Sequence, residues 1–173
     1  MTYPRLVSLI LSIACVSAAC TRNESAEELV ESGDTARGRS EGSDEALDTV
    51  RAAVRALAEP GATVDYVAAQ MQGVIKVRKK TQALIHYDGY RAMLRTLGDQ
   101  VSQIAFDFVE AKPSVSQLSE MFGTPREVRR GMLYEHTSNV SGVRFRLLAE
   151  PSEKPANEDS LVRRLVIETA RSR

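Results

Sequence analysis

Both cysteines of the chain, Cys15 and Cys20, fall within its first 20 residues. No thiol follows them. A folded region built from the remaining residues therefore has no disulfide, no cysteine-ligated zinc and no cysteine nucleophile. It must stand on an apolar core alone. From residue 43 onward the chain is long enough for one ordinary domain or two small lobes sharing a core.

The cysteines also mark a boundary. Arg5 precedes a run of small and apolar residues, Leu6 to Ala19. The run is shorter than the roughly 20 residues that a bilayer-spanning helix needs, and it fits the apolar core of a secretory signal. It ends Val16-Ser17-Ala18-Ala19-Cys20. Small residues before a cysteine resemble the bacterial lipobox. By that resemblance residues 1–19 are a lipoprotein signal peptide, and Cys20 becomes the acylated, palmitate-bearing N-terminus. Cys15, after Ser12-Ile13-Ala14, is a rival, and a plain secreted chain cut near Ala19 is the other reading. Thr21 follows Cys20 where enterobacterial sorting rules would place Asp for inner-membrane retention, so the resemblance implies the outer membrane, with the domain facing the periplasm.

Lysine plus arginine number 23 and aspartate plus glutamate 23. Removing residues 1–19 takes away only Arg5, so the remainder stays near neutrality. Charge alone thus points to no polyanionic partner. From Glu24 to Asp48 acids far outnumber Arg37 and Arg39, and only Leu29 and Val30 are sizeable apolar residues before Ser43. Such a segment buries too little surface to offset ordering entropy. Residues 20–42 read as a disordered acidic tether, and 43–173 as an α+β envelope domain.

Leu47, Val50, Val54 and Leu57 form one helical stripe. Ser43 is placed to cap it, and Pro60-Gly61 stops it. Thr63 caps a second helix with Val64, Val67, Ala68 and Met71 on one face, ended by Gly73. Gln82–Tyr87 reads as a strand. Residues 90–97 and 101–109 flank Gly98-Asp99 as a β-hairpin, burying Ile104, Phe106 and Phe108. Ser114 and Gln117 make a capping box, with Val115, Leu118 and Phe122 on one side and Gly123 as the stop. Strands follow at 132–136, 143–149 and 161–168. The expected architecture is short helices packed on an antiparallel sheet, preceded by one amphipathic helix.

The halves 62–110 and 113–169 look alike. Met71 and Met121, Gly73 and Gly123, and His86 and His136 share one spacing. Two readings stand: tandem α-β-β-β units, or chance alignment in an arginine-rich chain. The stretch Leu118-Ser119-Glu120-Met121-Phe122-Gly123-Thr124-Pro125, followed by Met132-Leu133-Tyr134, resembles the SmpA/OmlA class of small outer-membrane lipoproteins. It is also similar to the tandem-repeat β-lactamase-inhibitor-protein fold. The first resemblance implies a role in outer-membrane protein assembly or maintenance. The second implies protein binding through a concave sheet face. In the first half Val74-Ile75 stands where the motif has Thr-Pro.

Chemistry is sparse. His86 and His136 would need to converge with acids such as Glu135 or Asp88 to hold a metal, and surface or half-buried histidines are the plainer reading. No serine sits in a nucleophile elbow. The glycines are isolated, so no phosphate loop or cofactor site is expected, and no stacking aromatics suit nucleic acid. The run Lys76-Val77-Arg78-Lys79-Lys80 stands out. Lys76, Arg78, Lys79 and Lys80 read either as an electrostatic contact patch for anionic headgroups or an acidic partner, or as a charged edge strand that resists aggregation. The expected role is a non-enzymatic, membrane-tethered module that binds an envelope protein. The alternative is a small-ligand or lipid-binding periplasmic module with a pocket between helices and sheet.

Overall fold

A computed structural model describes the backbone of residues 34–170 and the side chains of residues 42–170. The described chain is α+β: helices lie on one face of a single eight-stranded sheet whose neighbouring strands are all antiparallel. Helix α1 spans Asp34–Ala58 and α2 Val64–Gln70. Four strands follow: β1 (Ile75–Lys79), β2 (Gln82–His86), β3 (Tyr90–Leu97) and β4 (Gln100–Phe108). After α3 (Val115–Phe122) come β5 (Arg126–Val128), β6 (Gly131–Thr137), β7 (Arg144–Pro151) and β8 (Val162–Thr169). The sheet order is β1-β2-β3-β4-β8-β7-β6-β5, so the two meanders join through their last strands.

Two boundaries differ from expectation. Helix α1 is described from Asp34, and Ser43 lies inside it rather than capping it. Ala36, Arg37, Arg39 and Glu41 are tolerable helix residues, and extending a helix already docked costs far less than starting one. Ser43 is buried and exchanges hydrogen bonds with the Gln117 amide of α3. The helix thus covers residues 34–42 of the expected tether, while its residues 20–33 lie outside the described residues. Each half also holds four strands rather than three. The extra ones, β1 and β5, are the two sheet edges. Strand β1 answers to the charged-edge-strand reading of the basic run, whereas β5, three residues long, is too short to show a period-2 signal.

The helices form as their residues dictate. The Thr63 hydroxyl accepts from the Tyr66 amide at 3.3 Å. Ser114 and Gln117 complete a reciprocal capping box, the Ser114 hydroxyl accepting from the Gln117 amide at 3.2 Å and the Gln117 side chain accepting from the Ser114 amide at 2.9 Å. Gly123 ends α3 at φ 88°, a conformation that a Cβ disfavours. Helix α2 ends differently: Gln72, not Gly73, takes the positive φ. At Gly73 a Cβ would instead overlap the Tyr87 hydroxyl and Ile85.

The core lies between helices and sheet. Val50 and Val67 from the helices, Ile85, Leu94, Ile104 and Phe106 from β2–β4, and Tyr134, Phe145, Leu147, Leu165 and Ile167 from β6–β8 are essentially fully buried. Each such side chain contributes about 1.5–3 kcal/mol. Surface ion pairs such as Arg51–Asp48 at 2.7 Å contribute about 0–1 kcal/mol. The apolar layer therefore decides which face the helices cover. Tyr90 fixes α1 on that layer: its phenol and the Thr49 hydroxyl share a buried hydrogen bond of 2.8 Å.

Candidate binding face

The second face of the sheet carries no helix among the described residues. Strand alternation puts residues of one parity there, and register lines them up across strands. Val77 pairs with Leu84, Leu84 with Met93, Met93 with Ala105 and Ala105 with Val166. Val166 pairs with Leu148, Leu148 with Leu133 and Leu133 with Arg126. One apolar row thus crosses the open face from β1 to β6 and ends on an arginine at β5.

Charged rows flank it. On one side Arg95, Gln103, Glu168, Arg146 and Glu135 follow one another across the strands. On the other run Arg91, Asp107, Arg164 and Glu150. Opposite charges sit beside each other, the arrangement that favours cross-strand pairs. Arg91 donates to Asp107 at 3.2 Å, Arg164 lies 3.7 Å from the same carboxylate, and Gln103 donates to Glu168. Glu150 is 3.5 Å from Arg163.

The face is concave. Residues of β3 to β8 line one depression of about 700 Å³. Its floor is Ala105, Val166, Leu148 and Leu133, and its rim includes Arg95, Arg126, Arg129, Arg130 and Arg146. All five of those arginines are exposed. Among the described residues none of the five lies within 4.0 Å of a carboxylate oxygen.

The side chains of the basic run do not share one sheet face. It forms edge strand β1 and the turn after it, with a bulge between Ile75 and Val77. Register places Arg78 beside Ala83, on the helix-bearing side, where it pairs with Asp65 of α2. Lys79 lies beside Gln82, on the open side. Lys76 falls at the bulge and Lys80 in the turn, both exposed. Cys20, the expected lipidation site, lies outside the described residues.

The histidines do not converge. His86 is exposed on the open face beside Arg91. His136 is half-buried on the helix side, its ring 5.5 Å from that of Phe122 and 6.4 Å from that of Phe145. Among the described residues no group of three or more His, Cys, Asp or Glu side chains is placed to hold a metal ion, and no helix is long and apolar enough to cross a membrane. The shifted titrating groups are phenols. Burial raises Tyr87, Tyr90 and Tyr134 above the ordinary tyrosine range, and the Thr49 and Ser119 hydrogen bonds partly offset it for the latter two.

A second depression of about 700 Å³ lies where α1, the β2–β3 turn and the start of α3 meet. Gly42, Asp88, Val109 and Leu161 line it, and Val109 is 65% and Leu161 48% exposed.

The apolar row had a signal in the sequence. Met132-Leu133-Tyr134, Leu147-Leu148-Ala149 and Leu165-Val166-Ile167 each place three apolar residues in succession. A strand with one wet face should alternate, so the middle residue of each triplet marks an apolar position on the open side. Neither a protein-family model, a curated protein nor a solved structure matches this chain.

Proposed function

We propose that this chain is a non-enzymatic bacterial envelope lipoprotein, anchored through Cys20 to the outer membrane and facing the periplasm, whose open sheet face binds another protein. The observation that carries this reading is the apolar row crossing the open sheet face, which bears no helix among the described residues, between two charged rows. A face meant only for solvent has no use for Leu133, Leu148 and Val166 in register. Protein interfaces commonly have an apolar centre inside a polar rim. The lipobox-like Ser17-Ala18-Ala19-Cys20 supports the anchor, and the SmpA/OmlA resemblance supports a part in outer-membrane assembly or maintenance.

We read α2 with β1–β4 and α3 with β5–β8 as tandem units. Thr63 and Ser114 cap the two short helices, and Val67 and Leu118 occupy the same helical position, both fully buried. The spacing shortens in the second strand of each unit. Ile85 and Tyr134 match there as core residues, whereas His86 and His136 fall on opposite faces.

Two measurements test the reading. The mass of the mature N-terminus should be that of an acylated Cys20; a cell-purified chain that begins at Met1 overturns the anchor. A photo-crosslinking side chain in place of Leu148, in the full-length chain expressed in cells, should trap one protein reproducibly. The same group in place of Val140, 94% exposed in a turn off the sheet, should not. Equal labelling at both positions overturns the binding face. A second reading, a small-ligand or lipid-binding module, is favoured by the depression that exposes Val109 and Leu161. It predicts a bound small molecule in native mass spectrometry of the purified protein.

A further inference from the structure

The open face is unevenly charged along its length, and that unevenness specifies a partner. Resting on the interaction reading above, we infer that the depression over β4, β8, β7 and β6 accepts a short acidic segment of the partner protein, with apolar side chains between its carboxylates.

Charge is the first reason. On the β3–β4 side of this face Arg91 is joined to Asp107, so its charge is answered within the sheet. Around the depression Arg95, Arg126, Arg129, Arg130 and Arg146 have no carboxylate oxygen within 4.0 Å among the described residues. Glu135 and Glu168 are cross-strand neighbours of Arg146 but form no direct ion pair with it. Exposed guanidinium groups retain their full fork of donors for an incoming carboxylate.

Shape and spacing are the second reason. The floor from Ala105 to Leu133 crosses three inter-strand spacings, about 14 Å at roughly 4.8 Å each. Roughly four extended residues span that distance. The row is one residue wide, with the charged rows two residues away along each strand. Apolar side chains of such a segment rest on Val166 and Leu148. Its carboxylates reach Arg146 and Arg95 on one flank, and Arg126, Arg129 and Arg130 at the β5 end.

The same features disfavour a polyanionic membrane surface. A concave floor does not meet a plane. Glu135, Glu150 and Glu168 stand among the arginines and would oppose a continuous sheet of phosphates, whereas separated carboxylates can be placed between them.

The test uses the full-length chain in detergent and a fluorescein-labelled decapeptide of alternating Glu and Leu. Binding should weaken at least tenfold in the double variant Arg126→Glu/Arg146→Glu. It should weaken similarly when 0.5 M salt is added, because exposed charges are screened within a few ångströms there. Lys79→Glu/Lys80→Glu, on the β1 edge and its turn, should change binding less than twofold. Three results overturn the inference. One is equal binding of an alternating Lys and Leu decapeptide. Another is equal binding of a decaglutamate, which lacks the apolar anchors. The third is retention of phosphatidylglycerol vesicles with no peptide binding.

The double variant also carries the crosslinker at position 148 in cells. If a partner is trapped at position 148 in both the otherwise native chain and the double variant, the interaction reading stands and the acidic segment falls. If the otherwise native chain traps none, the interaction reading itself falls. If only the double variant loses capture, and the trapped peptide of the partner maps to an acidic stretch, both hold.

Discussion

At Gly131 one missing atom sets a strand pairing. A Cβ there would overlap the Ala149 carbonyl oxygen on the neighbouring strand. The backbone would have to move where β6 leaves its turn with β5. Gly131→Ala is therefore expected to lose about 1–3 kcal/mol, the usual range for overpacking, read as a lower urea midpoint. An unchanged midpoint would mean that the start of β6 moves off β7 without cost. The buried phenols make a second residue-scale prediction. Tyr87, Tyr90 and Tyr134 titrate higher folded than unfolded, because burial disfavours the phenolate. The sign follows: below the unfolded value near 10 the full stability is present. Above it the unfolded chain releases protons that the folded chain keeps, so stability falls. Urea midpoints should drop from about pH 10 upward, less steeply in Tyr87→Phe. A flat profile to pH 11.5 would contradict the burial of these rings.

Helix α3 shows what an element gains from its ends. It spans Val115–Phe122, too short to be stable in isolation. Its capping box and its three buried residues, Val115, Leu118 and Phe122, hold it on β6, where the Tyr134 phenol donates to the Val115 carbonyl at 3.2 Å. Ser114→Ala should cost about 1 kcal/mol, a typical cap loss. Gln117→Ala should cost more, since the same amide also bonds Ser43 of α1. Thermal unfolding of the two variants ranks them; the reverse order would mean that the tie between α1 and α3 carries no stability. Most of this element was legible beforehand, because a capping box and a helical stripe are local. Strand β1 was legible only as one of two readings of the basic run, and β5 not at all, because a three-residue strand that pairs on one side and buries little leaves no alternation.

For the whole molecule, the β4–β8 junction makes one sheet of two meanders. Phe106 is fully buried there, and its neighbour across the junction is Leu165. Phe106→Ala should lose about 3–5 kcal/mol. Because both meanders share that layer, unfolding should remain one transition by circular dichroism and by tyrosine fluorescence, the chain having no tryptophan. Two separated transitions would show that the halves fold independently.

The sequence by itself determined the helix stripe of α1, both short-helix caps, the hairpin at Gly98-Asp99 and the buried sets such as Ile104, Phe106 and Phe108. Each is written in residues a few positions apart, within reach of local hydrogen bonds and of the 3.6 and 2.0 periods. It also held the apolar triplets, but not what they meant together. Only the tertiary structure decided that Leu133, Leu148, Val166 and Met93 form one row, that Arg78 leaves the basic run to meet Asp65, and that the two histidines face apart. Those outcomes depend on register between strands distant in the chain. A shift of one residue moves every side chain of a strand to the other face, and no local signal records it.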